Sequence, residues 1–150
     1  MRLYLIRHGQ SENNIQPDFE KHFYDPSLTE LGIRQAEQLA NHLKYAGDSG
    51  SHGESYGINR IYTSPMKRAL QTTAPIARAL NLKPQIWVAT HERGGIVVLQ
   101  RNGVFHERGM TRSEIAKDFP TYDIPYHITD AGWWRATTGL ETHVDVANRA

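Results

Sequence analysis

The chain has 150 residues, 17 lysines and arginines against 16 aspartates and glutamates, and no cysteine. That length suits one domain, and the lack of cysteine excludes disulfides, thiolate metal sites and a cysteine nucleophile. A net charge of +1 gives no electrostatic ground for nucleic acid or an anionic membrane as partner. The first apolar run is too short for a signal peptide or a spanning helix, so a cytoplasmic location is the default expectation.

Leu3-Tyr4-Leu5-Ile6 is apolar without alternation and stops at charge, which predicts a strand buried on both faces. Thr29 offers an N-cap, and Leu31, Gln35, Ala36, Leu39, Ala40 and Leu43 follow at helical spacing; with Gly47 as a stop, this predicts a helix over 30–46. Residues 47–57 read as a flexible polar loop. Arg60-Ile61-Tyr62 reads as a short strand. Ser64 as cap and Pro65 in the first turn then open a helix to about Leu80, with a kink expected at Pro75. Gln85 to Val88 is a third strand. Strand, helix, strand, helix, strand over ninety residues predicts a parallel α/β sheet with right-handed crossovers.

Beyond Glu92 the pattern loosens. Ile96 to Leu99 is a short apolar run. Thr111-Arg112-Ser113-Glu114 is a capping box that opens a helix ending before Pro120. Residues 120–139, rich in Pro, Gly, Tyr and Trp, read as an irregular cover, with Trp133-Trp134 as a packed anchor. A last helix is expected from Leu140, with Val144 and Ala147 on one face.

Two clusters carry chemistry. Arg7-His8-Gly9 ends the first strand, and the carboxyl ends of parallel strands are where ligands bind. An imidazole beside a guanidinium there suits a phosphoryl group, since arginine offers a planar fork of donors. The plainer reading is a surface histidine beside a salt-bridging arginine. The second cluster, Ser64 to Thr72, also follows a strand and opens a helix, whose N-terminus favours anions. Arg68 lies one turn in; the plainer reading there is an amphipathic helix with Lys67 and Arg68 exposed. His91-Glu92-Arg93-Gly94 recurs as His106-Glu107-Arg108-Gly109, which creates two candidates for one glutamate role.

Arg7-His8-Gly9-Gln10-Ser11-Glu12-Asn13-Asn14 resembles the RHG-x-[ST]-x-x-N signature of the histidine phosphatase superfamily, the phosphoglycerate-mutase-like fold. Leu28 to Ala36 resembles that family's L-T-x-x-G-x-x-Q-A helix start, and Ser64 to Thr72 its S-x-x-x-R-A-x-Q-T segment. The matches cover residues 1–80. The resemblance implies an α/β fold, a three-layer α/β/α sandwich with a mostly parallel sheet, in one domain over 1–150 with 91–140 as cover. It implies a phosphohistidine mechanism. His8 attacks phosphorus, its other ring nitrogen donating to a backbone carbonyl. Arg7 and Arg68 bind the non-bridging oxygens, with Asn14 adding a hydrogen bond. Glu92 is the acid that protonates the leaving oxygen, and Glu107 its rival.

The family pocket also includes a second histidine, in a strand before a His-Gly turn. His91, His106, His127 and His143 all lack a following glycine. The expectation is a chain cut short of that strand; the alternative is a short protein that has lost catalysis. Arg93, Arg101, Arg108 and Arg112 in the cover suit an acidic substrate, whereas the interleaved Glu92 and Glu107 suit a solvated face of mixed charge. The leading functional expectation is a phosphomonoesterase acting on a small phosphorylated substrate, without metal or cofactor. The alternatives are a phosphoglycerate mutase and a non-catalytic anion-binding domain. Nothing in the sequence sets an oligomeric state.

Overall fold

The computed structural model describes residues 2–45, 56–134 and 141–149. A single helical turn, α1 (Glu12–Ile15), follows the Arg7-His8-Gly9 turn. The expected first long helix is α2, Glu30–Tyr45. Thr29 caps it as predicted: its hydroxyl accepts from Gly32 N (3.1 Å) and its carbonyl from Ile33 N (2.9 Å). The expected end of this helix and most of the polar loop, residues 46–55, lie outside the described residues.

β1 (Tyr62–Thr63), α3 (Lys67–Leu80) and β2 (Gln85–Ile86) form a strand–helix–strand unit in which β1 and β2 pair in parallel. The predicted strands are present but short. Past Ile86 the chain leaves the ladder and Val88–Thr90 forms a 3-10 turn. α2 packs against α3: Ala40 and Leu43 of one meet Ile76 of the other, with Ile58 and Ile61 beside them. α3 runs unbroken through Pro75 and ends on Asn81, which adopts the left-handed conformation (φ 52°) that closes many helices.

Its start differs from expectation. The N-cap is Met66, not Ser64, and Pro65 lies outside the helix. The Ser64 hydroxyl is 3.4 Å from Met66 N, a weak contact, while Lys67 N donates to Asp25 Oδ1 at 2.9 Å. The capping carboxylate therefore comes from 42 residues away.

Leu3-Tyr4-Leu5-Ile6 is a correction. It forms no strand, and Leu3 and Leu5 are 75% and 89% exposed. A doubly buried strand needs backbone partners at its edges and cover on both faces. Among the described residues no strand pairs with this segment; Tyr4 ties it to Tyr56, its Oη donating to Tyr56 O (3.1 Å) and its ring packing edge-on against that of Tyr56 (5.4 Å).

The second half contains a hairpin. β3 (Val97–Gln100) pairs antiparallel with β4 (Gly103–His106) around Arg101-Asn102, with Gly103 at φ 149°, a conformation open to glycine and strained for other residues. α4 (Arg112–Asp118) is opened by the expected capping box: Thr111 Oγ1 accepts from Glu114 N (3.1 Å), and Glu114 Oε2 from Thr111 N (2.7 Å).

Residues 120–134 are irregular, as expected, yet they complete the main core. Tyr122, Ile128 and Trp133 pack with Met66, Leu70, Ile86, Ile96, Met110, Ile115 and Phe119. Leu70, Ile96, Ile115 and Ile128 are wholly inaccessible, each stabilising the fold by about 1.5–3 kcal/mol. Tyr122 Oη donates to Leu70 O (2.7 Å), which satisfies the one polar atom that this ring brings inside. The last helix, α5 (His143–Arg149), buries no residue, and Val144 is 67% exposed. It is held by polar contacts rather than by the expected apolar face. No helix among the described residues is long and apolar enough to cross a membrane.

One backbone contact joins the first motif to α2. A Cβ on Gly32 would sit 2.0 Å from Gln10 O, and one on Gly9 would sit 2.5 Å from Gly32 O. Neither backbone can yield without moving the other. Gly32→Ala is expected to lower unfolding stability by about 1–3 kcal/mol, as overpacking does. Urea denaturation measures it, and a change within about 0.5 kcal/mol, the range of a neutral surface substitution, would contradict the contact.

Candidate active site

Gly9 is buried, and its N–H donates to the hydroxyl of Thr72 on α3 (3.1 Å). That hydroxyl donates in turn to Arg68 O (2.7 Å), one helical turn back. The peptide after His8 is thus suspended from the turn of α3 that carries Arg68. His8 is half-buried, and its Nδ1 lies 2.6 Å from Gly9 O. A carbonyl only accepts, so Nδ1 carries the proton and the lone pair of the neutral ring sits on Nε2. Among the described residues no hydrogen bond engages that Nε2.

Arg68 is 7% exposed, and its Nη2 contacts Glu92 Oε2 at 2.5 Å. A buried guanidinium needs a negative partner, and Glu92, with a side chain 70% exposed, reaches in to supply it. Glu107 makes no such contact; it lines a separate cleft of about 340 Å³ with Asp25, Lys67, Arg108 and Met110. Asn14 turns its Oδ1 onto Ser11 N (2.9 Å) and Ser11 Oγ (3.1 Å), so only its Nδ2 remains to donate to a ligand. Arg7 is exposed and enters no hydrogen bond or ion pair among the described residues. The arrangement therefore brings His8, Arg68 and Glu92 onto adjoining supports, and leaves Arg7 and Asn14 Nδ2 free to turn toward a ligand.

A scan of protein families matches this chain over residues 3–150 to the histidine phosphatase superfamily, branch 1. The chain belongs to that superfamily. It is 38% identical over 77 residues to a 2,3-bisphosphoglycerate-dependent phosphoglycerate mutase of Thermoplasma acidophilum, a match covering 51% of this chain and 34% of that protein. It is 37% identical over 83 residues to phosphoserine phosphatase 1 of Hydrogenobacter thermophilus, covering 55% and 34%. These matches span about a third of the relatives' length. Among solved structures, the ecdysone phosphate phosphatase of Bombix mori superposes with a TM-score of 0.61 at 18% identity, covering 95% of this chain and 61% of that one. The shared fold is the α/β fold of the histidine phosphatases.

Within this histidine phosphatase chain several motif residues prove to be ties rather than ligands. Gln35 Oε1 accepts from Gln10 N and Gln71 Oε1 from Leu28 N, both at 2.8 Å. Together with Thr72 and Gly32 they lace the three motif segments to one another. The sequence contained these residues but no local pattern gave their roles. The cover arginines are also engaged: Arg108 forms a two-pronged pair with Glu114 (both 2.9 Å), Arg112 donates to Pro125 O (3.0 Å) and Ile128 O (3.3 Å), Arg93 donates to His143 Nε2 (3.0 Å), and Arg101 pairs with Glu20. The Arg108 fork holds the Glu114 carboxyl down at about 2.

Asp25 is the residue that sequence reasoning missed outright. It occupies the N-terminus of α3, where an anionic ligand was expected to sit. Burial pushes its carboxyl up to about 6, against the Lys67 N–H bond and the nearby Arg68 and Lys67 charges, and its Oδ2 has no partner. A carboxyl whose folded value lies above its unfolded one binds its proton more tightly in the fold. Stability from Asp25 is therefore present below about pH 4 and lost as pH rises through about 6, a change of about 3 kcal/mol at most. Asp25→Asn keeps an acceptor for Lys67 N and removes the titration. Relative to the unchanged chain, it should gain stability between pH 4.5 and 7.5 in urea unfolding; parallel profiles would show that Asp25 does not titrate there.

Proposed function

We propose that the chain hydrolyses a small phosphomonoester through a phosphohistidine on His8, without a metal ion. The observation that carries this reading is the Nδ1 to Gly9 O hydrogen bond, which leaves Nε2 as the nucleophile. In the first step the phosphoryl group displaces Glu92 from Arg68 and the freed carboxylate takes up a proton from solvent; the Nε2 lone pair then forms the N–P bond, the bond from phosphorus to the ester oxygen breaks, and Glu92 delivers that proton to the departing oxygen. Arg68, Arg7 and Asn14 Nδ2 hold the non-bridging oxygens, where charge builds in the transition state. In the second step the Glu92 carboxylate takes a proton from water, the water oxygen attacks phosphorus, and the N–P electron pair returns to Nε2 as phosphate leaves.

The Arg68–Glu92 contact supports the choice of acid. A phosphoryl group drawn to Arg68 arrives beside the carboxyl that must serve it, and Glu107 has no such contact. The exposure of Glu92 favours hydrolysis over mutase chemistry, because a mutase must keep water from its phosphohistidine while the substrate turns over. The likeness to a phosphoglycerate mutase keeps transfer as the second reading, told apart by whether the phosphoryl group passes to water or to an added hydroxy acid.

Kinetics with p-nitrophenyl phosphate test the assignment. Glu92→Gln is expected to lower kcat by at least about 100-fold and Glu107→Gln to leave it within about threefold, the difference between losing and keeping the general acid. His8→Ala should lose at least about 1,000-fold, and EDTA should change nothing. Equal losses at positions 92 and 107 would overturn the choice of acid, and an active His8→Ala would overturn the mechanism.

A further inference from the structure

Glu92 lies just past the 3-10 turn Val88–Thr90, in the irregular stretch 91–96 that leads to the hairpin. Such a segment has no ladder to satisfy its backbone or to fix its path. The partners come from the last described stretch of the chain. Arg149 donates through Nη1 to Ala89 O and through Nη2 to His91 O (3.0 Å). Glu141 Oε2 accepts from Gly94 N (3.0 Å). The two side chains are joined by Arg149 Nε to Glu141 Oε1 (2.8 Å) and Nη2 to Oε2 (3.1 Å). They are only 20% and 14% exposed, so this fork is shielded from the solvent that weakens surface pairs.

The backbone is therefore gripped on both sides of Glu92, at 89 and 91 before it and at 94 after it. His91 adds a third hold. It is 7% exposed, its ring lies 5.0 Å from that of Trp134 and 5.5 Å from that of Trp133, and its Nδ1 donates to Glu92 O (2.8 Å). Its Nε2 faces Glu141 Oε1 at 3.8 Å. A carboxylate on a free loop would swing away from Arg68, whereas one whose main chain is fastened at three carbonyls and an amide keeps its reach.

We propose that Glu141 and Arg149 are positioning residues for Glu92, a polar clamp that holds residues 89–94 so that its carboxyl meets the phosphoryl site at Arg68. Neither touches the reacting atoms. The proposal rests on the reading of Glu92 as the acid. It also fits with α5 burying no apolar side chain: its attachments are polar, the Arg149 fork and the Arg93–His143 bond.

Two readouts on the full chain test it. Arg149→Met is expected to speed amide exchange in residues 89–94 and to lower kcat for p-nitrophenyl phosphate about tenfold with KM within about twofold. Arg149→Lys, which keeps charge and loses the fork, should recover part of the loss. In a Glu92→Gln background Arg149→Met should cost little more, because the clamp acts through that side chain. Glu141→Ala, as a second variant, should expose the Gly94 amide in the same way. Unchanged exchange, a loss confined to KM, or a full additive loss in the Glu92→Gln background would overturn the proposal. If the unaltered chain has no activity, the phosphatase reading fails by itself, and amide exchange in the two variants decides the clamp.

Discussion

Gly9 N–H, hydrogen-bonded to Thr72, and Gly9 Cα, pressed against the Gly32 backbone, fix the peptide on which His8 rides. Two helices meet that peptide: α3 through the Thr72 hydroxyl, and α2 through the Gly32 backbone, which leaves no room for a side chain on Gly9. Because interiors are close-packed and yield little, the imidazole inherits the rigidity of both helices. Thr72 and Arg68 are four residues apart on one helix, so they share a face. The hydroxyl that receives Gly9 N–H also donates to the Arg68 carbonyl, and the support of His8 and the support of Arg68 become one object.

Charge then organises what the backbone has placed. Arg68 is buried and would be costly without a counter-charge, which Glu92 supplies. On the proposed mechanism a phosphoryl group competes for the same guanidinium, which would couple anion binding to release of the Glu92 carboxyl. Asp25 balances the other end of this device. It takes the first free N–H of α3, and burial raises its carboxyl to about 6, so the charge it places near Arg68 is full only above that pH. The Glu141–Arg149 fork plays the matching part for Glu92, supplying to an irregular segment the partners that a sheet would otherwise provide.

What could be read from the sequence was what local chemistry decides. The Thr29 cap, the spacing of α2 and the Thr111–Glu114 box each depend on residues within a turn or two, and each stands as read. The start of α3 was misplaced because its cap is 42 residues distant. Residues 3–6 were read as a buried strand from composition, but burial belongs to the neighbours, and exposed Leu3 and Leu5 have none among the described residues. The hairpin turns on Arg101-Asn102, neither of which is a glycine or has a positive φ, so the usual two-residue turn signal is absent from the sequence. The candidates His8, Arg68 and Glu92 are named by the motifs, although no strand precedes His8 and a 3-10 turn rather than a strand precedes Glu92. Thr72, Asp25, Glu141 and Arg149 carry no such sign, since each acts on backbone atoms 42 to 63 residues away, which no residue type advertises.

The central claim is that one ring nitrogen of His8 is committed to the Gly9 carbonyl and the other is the nucleophile. The direct measurement is the position of phosphorus on the protein during turnover, by quenching in alkali, where a phosphoramidate survives, and assigning the isomer by phosphorus NMR against phosphohistidine standards. Phosphorus bonded to Nε2 of His8 is the expected result. Phosphorus on Nδ1, on another residue, or on no residue during active turnover would contradict it.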